Sequence, residues 1–160
     1  MSQVATLVSN ALLGALDGEN GLRTWLGDAS RLGELARNVT VVGQHIDMDL
    51  ADRSPQGYPA VYVHCDRVTN SLREKFRSFA GTAELGVDVR ATAERAEETT
   101  DLLHYTVDGL IRVLESVRGD WGAGMYYGGG YEVTYQALKK GGRNFVKTAK
   151  VKLTVEVSKS

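Results

Sequence analysis

The chain has 160 residues, a formal net charge of −1, 42% hydrophobic and 24% charged residues, and one cysteine, Cys65. One domain follows, because a chain of this length buries roughly 70% of its unfolded surface. An internal disulfide is excluded, the near-neutral charge offers no bulk attraction to nucleic acid or membrane, and no apolar run approaches the ~20 residues of a membrane span.

Ser2–Leu16 reads as a helix, with Val4, Leu7, Val8, Ala11, Leu12, Ala15 and Leu16 on one face and Ser2 as its cap. The N-terminus has no basic stretch leading into a long apolar one, so no signal peptide is expected, and the expectation is a soluble protein made in the cytosol. Asp17–Gly21 is a turn cluster. Thr24–Leu35 carries Trp25, Leu26, Ala29 and Leu32 at helical spacing, weakened by Gly27 and Gly33. Arg37–Gln44, with Val39, Val41 and Val42, reads as a strand, and Asp52–Gly57 as a turn.

Tyr58–Val68 is the next strand, and bulk on both of its faces predicts a central position. Thr69–Ala80 fits either a helix (Leu72, Phe76, Phe79) or a strand running into Gly81, where a parity shift predicts a bulge. From Thr82 to Thr92 the odd positions Ala83, Leu85, Val87, Val89 and Ala91 are apolar, a strand with one face on a core. The period then lengthens: Leu103, Val107, Leu110, Leu114 and Val117 form the stripe of a long helix. Glu94, Glu97, Glu98 and Asp101 suit its start, Arg112 and Arg118 its end, and Gly119 its C-cap.

Gly119–Gly130 reads as a glycine-rich loop carrying Trp121, Tyr126 and Tyr127. Tyr131–Ala137 alternates again, Lys139–Arg143 is a basic turn, and Phe145–Val157 is a long closing strand. At ~3.3 Å per residue that strand spans on the order of 43 Å. This exceeds what a domain of this size needs, so part of it is expected to project, or to pair outside its own sheet. Together these elements predict an α+β fold: a mixed, mostly antiparallel sheet of four to five strands, with two to three helices packed on one face.

No catalytic constellation is visible. His45, His64 and His104 have no metal-ligand spacing, and Cys65 follows His64 in a strand, so the two point to opposite faces. A buried, inert thiol is expected. Asp47 and Asp49 form a D-x-D pair with no further carboxylate nearby, a solvated strand face. Gly122–Gly128 spaces its glycines as G-x-G-x-x-x-G after a helix and before a strand, the reverse of a dinucleotide loop, so no helix N-terminus faces a phosphate. Trp121, Met125, Tyr126 and Tyr127 on such a loop suit a protein contact, the competing reading being a loop folded back on its own sheet. Lys139, Lys140 and Arg143 form a cationic tip that suits a contact to a neighbouring subunit or a plain surface turn better than nucleic acid.

The order of blocks Tyr58–Asp66, Phe79–Arg90, a helix ending Val113–Ser116, Tyr127–Val133, Lys140–Phe145 and a closing alternating strand resembles the tail terminator (tail completion) proteins of long-tailed bacteriophages. The resemblance covers about residues 2–157 and rests on the order of elements with short blocks, not on one sharp motif. It implies a structural virion protein in the tail or neck, not an enzyme. It also implies a ring, usually of six copies, that ends polymerisation of the tail tube and presents the surface on which the head docks. The implied partners are further copies of the chain, the tail tube protein and a head-closure or stopper protein. No cofactor, metal or catalytic residue is implied, no membrane is involved, and the genome passes through the ring without specific nucleic-acid binding. The expected interface residues are Trp121, Met125, Tyr126, Tyr127, Lys139, Lys140, Arg143 and Phe145. On this reading, replacing Trp121 and Tyr127 by alanine leaves the monomer folded but weakens assembly. Another neck component, a head-closure, stopper or connector subunit, is the nearest alternative. A small-molecule enzyme and a nucleic-acid-binding module are the readings from other classes.

Overall fold

The centre of the protein is a pair of long antiparallel strands, β3 (Phe79–Ala93) and β7 (Asn144–Lys159), in register from Phe79↔Lys159 to Ala93↔Phe145. The computed structural model describes residues 2–18, 21–26, 31–36, 39–43, 59–71 and 78–159. Around the central pair lie β1 (Thr40–Val42), β2 (Ala60–Asn70), β4 (Gly119–Gly122), β5 (Met125–Tyr135) and β6 (Lys139–Gly141). The sheet order is β1-β2-β3-β7-β5-β4, with β6 also on β7, and only β1–β2 is parallel.

The described sheet therefore has seven strands in a curled half-barrel, which corrects the expected four to five. Two of the additions come from stretches that read as loop and turn. Gly119–Gly122 forms β4, because Ala123 and Gly124, with φ of 53° and 83°, make a two-residue turn into β5. Lys139–Gly141 forms β6, turned by Gly142 at φ 67° into β7. The curl has local causes. Register shifts interrupt β2 between Cys65 and Arg67, β4 between Asp120 and Gly122, and β5 between Tyr127 and Tyr131. Each adds unmatched residues to one strand and bends it.

The closing strand neither projects nor waits for an outside partner. β3 lines one side of it over its whole paired length, and β5 and β6 line the other. Its length is matched because β3 has fifteen residues, more than the Thr82–Thr92 alternation indicates. The expected bulge at Gly81 is also absent: Phe79, Gly81 and Ala83 hold one register against β7. Glycine is needed there for closeness, since a Cβ would run into the carbonyl of Thr69 on β2. The bulge of this strand pair lies at Asp66 instead.

Helix α1 (Ser2–Asp17), two short helices α2 (Leu22–Leu26) and α3 (Arg31–Ala36), and α4 (Ala96–Ser116) complete the described elements. The core holds Val8, Leu12 and Leu16 of α1, Leu22 and Leu26 of α2, and Leu103, Val107, Leu110 and Leu114 of α4. Against them lie Ala83–Ala91 of β3 and Ala149–Val157 of β7 through their odd residues, as the period of two predicts. α4 buries a wider stripe than expected, adding Thr99, Leu102, Thr106, Gly109 and Val113, because α2 also packs on it. The Tyr105 hydroxyl donates to the carbonyl of Leu26 at 2.7 Å, satisfying the end of α2, and the missing side chain of Gly109 leaves room for Leu26. α4 is capped two residues earlier than expected: Val117, not Gly119, is its C-cap, with its N–H on the carbonyl of Val113. Gly119, at φ 119°, opens β4. No helix among the described residues is long and apolar enough to cross a membrane.

The readings of His45, Asp47 and Asp49, the Asp52–Gly57 turn, and the Leu72 and Phe76 positions lie outside the described residues.

Candidate functional site

The eight expected contact residues fall into two groups at opposite ends of β7. They are separated by roughly ten residues, on the order of 33 Å along the strand. At one end stands the β4–β5 hairpin. Strand alternation turns Met125 and Tyr127 into the core, 4% and 0% exposed, while Tyr126 between them is 49% exposed. Trp121 is half-buried beside Tyr127, ring centroids 5.7 Å apart, and its indole N–H donates to the carbonyl of Val117 at 2.7 Å. The Tyr127 hydroxyl donates to the carbonyl of Gly130, and burial pushes its pKa up to about 12. Of these four hairpin residues, Tyr126 alone is exposed. The loop has folded back on its own sheet.

At the other end, Lys139, Lys140 and Arg143 are exposed around the β6–β7 turn. The Lys140 ammonium stands 5.8 Å from the ring of the partly buried Phe145, a cation–π contact. Among the described residues none of the three cations is in an ion pair.

Two features escaped sequence reading. The first is the outer edge of β5. β4 pairs with β5 only as far as Tyr127, and among the described residues no strand continues along Gly128–Tyr135. Tyr131 and Tyr135 on this stretch are 42% and 43% exposed, and Tyr135 meets His104 of α4 edge-on at 5.0 Å. Burial raises the pKa of Tyr135, and Asp108 adds to it. The alternation Tyr131, Val133, Tyr135 was the available signal; what it could not say is that both tyrosines stay partly exposed.

The second is a polar cluster on the sheet face away from the helices. His64 lies over Gly86, where a Cβ would strike its ring. Its Nδ1 meets Asp66 Oδ1 at 2.5 Å and its Nε2 meets Asp88 Oδ2 at 3.2 Å. The bond to Asp88 raises the imidazole pKa most, burial opposes it, and Asp66 adds to the rise. A carboxylate at each nitrogen favours the protonated ring, which ties β2 to β3 as a clamp. Cys65 lies on the opposite side, packed against the core, with its thiol pKa pushed up by burial. His64 and Cys65 thus stand on opposite faces of β2, and the thiol is partly buried where a buried one was expected. Among the described residues no three acidic, histidine or cysteine side chains are grouped to hold a metal ion.

The same face carries an open trough of about 680 Å³ that crosses β2, β3, β7 and β5. Its walls include Glu84, Glu132, Glu156 and Lys152, and the Arg67 Nε stands 3.3 Å from Glu84 Oε2. Fold and site together define a small sheet-and-helix scaffold with one open polar face, a tyrosine-lined strand edge and a basic tip. No known protein family matches the chain, and no characterised protein is significantly similar to it.

Proposed function

We propose that the chain is a structural virion protein of a long-tailed bacteriophage, forming a ring, usually of six copies, at the head-proximal end of the tail tube. There it stops tube growth and presents the surface to which the head joins. The resemblance in the order of blocks from Tyr58 to Phe145 suggests the reading. The observation that carries it is the outer edge of β5 from Gly128 to Tyr135, with two half-exposed tyrosines and no described strand beside it. A bare edge carrying aromatic side chains is a surface that a neighbouring subunit covers. The closing strand offers no free edge to a neighbour, since both of its sides are paired within the chain.

Electron microscopy of tails made with and without the protein is the test. Tubes of variable or excessive length in its absence, and of uniform length when it is supplied, are expected. Tubes of normal length that join heads without it overturn the reading.

A further inference from the structure

The long strand pair carries opposite charge at its two ends. One end is the β6–β7 tip with Lys139, Lys140 and Arg143, all exposed and unpaired among the described residues. Toward the other end lies the trough, with four carboxylates, Asp66, Glu84, Glu132 and Glu156, against two cations, Arg67 and Lys152. Asp66 is held by His64 and Glu84 by Arg67, and Glu132 stands across from Lys152 in register. Glu156 has no ion pair among the described residues. Beside Glu156 in register stands Tyr126, an exposed ring of the kind on which a lysine or guanidinium stacks.

Tip and trough cannot meet within one chain. About ten residues of fully paired β7, on the order of 30 Å, hold them apart. We propose that the tip of one copy docks in the trough of a second copy of this chain. Charge complementarity argues for this occupant: three cations with no ion pair among the described residues, on a narrow hairpin, suit a wall whose carboxylates outnumber its cations. The contact uses two different surfaces, so it is heterologous, and the docked pair still offers one free tip, on one copy, and one free trough, on the other. It supplies a subunit contact for the ring proposed above and rests on that reading for closure into a ring. Docking itself needs no tail.

Sedimentation equilibrium of the purified chain tests it. Association at low salt that weakens at least about tenfold at high salt is expected, because screening acts on exposed charges. Lys139→Glu with Lys140→Glu and Arg143→Glu should abolish association, and so should Glu132→Lys with Glu156→Lys. Mixing the two blocked variants should restore it, since the acidic tip of one then meets the basic trough of the other. All five positions are exposed, so the variants are expected to fold, which circular dichroism checks. Association that ignores salt and both charge reversals overturns the proposal while leaving the ring reading to the tail-length assay. A wild-type chain that stays monomeric to its solubility limit overturns it too. Normal tail length without the protein, with charge-dependent association intact, removes the function and keeps the docking.

Discussion

Adjacent tyrosines at 126 and 127 meet opposite fates, since alternation sends one to solvent and the other to the core. Tyr127→Ala should therefore cost about 3–5 kcal/mol, the range for emptying a buried aromatic site. Tyr126→Ala should change stability by no more than about 0.5 kcal/mol. Urea denaturation of both variants checks this, and equal losses would contradict the inward placement of Tyr127. Pairing Trp121→Ala with Tyr127→Ala is thus no clean test of assembly, because it damages the core first. His64 offers a pH signature. Its native pKa lies above the ordinary 6.5, so the clamp's contribution is complete below that value and is lost as pH rises through the native one. Wild type should exceed His64→Gln in stability at about pH 6, and the gap should close toward alkaline pH. Lys150 and Lys152 of β7 stand across from Asp88 and Gly86 on the neighbouring strand. A gap constant with pH would mean that the ring packs without acting as a cation.

At the scale of elements, β3 decides the architecture, because it pairs along β2 on one side and β7 on the other. Gly81 lets its first turn of register close against β2. Gly81→Val should push the strands apart at Thr69, cost about 1–3 kcal/mol as overpacking does, and speed amide exchange in 69–71 and 79–81. Unchanged exchange there would show that the strand end has room for a side chain. The basic hairpin is the contrasting case. Its cations touch no described carboxylate, so the triple reversal Lys139→Glu, Lys140→Glu, Arg143→Glu should leave the melting temperature nearly unchanged while removing self-association. A large fall in melting temperature would mean that the tip supports the fold instead of a contact.

For the whole molecule, the helices cover one side of the curled sheet and leave the other polar and open. The inward rows of β3 and β7, the stripe of α4 and the basic tip were legible in the residues themselves, because each depends on a repeat of two or about 3.6 or on a run of neighbours. The strand count was not, since β4 and β6 are three or four residues long and exist only through the strands they pair with. Nor was the burial of Trp121, Met125 and Tyr127, which follows from a hairpin lying back on the core. The His64–Asp88 clamp joins residues 24 positions apart, and the trough draws on four strands. Local order along the chain determined which faces are apolar. Only the tertiary fold decided which of them are covered, because exposure is set by distant segments that no periodicity records.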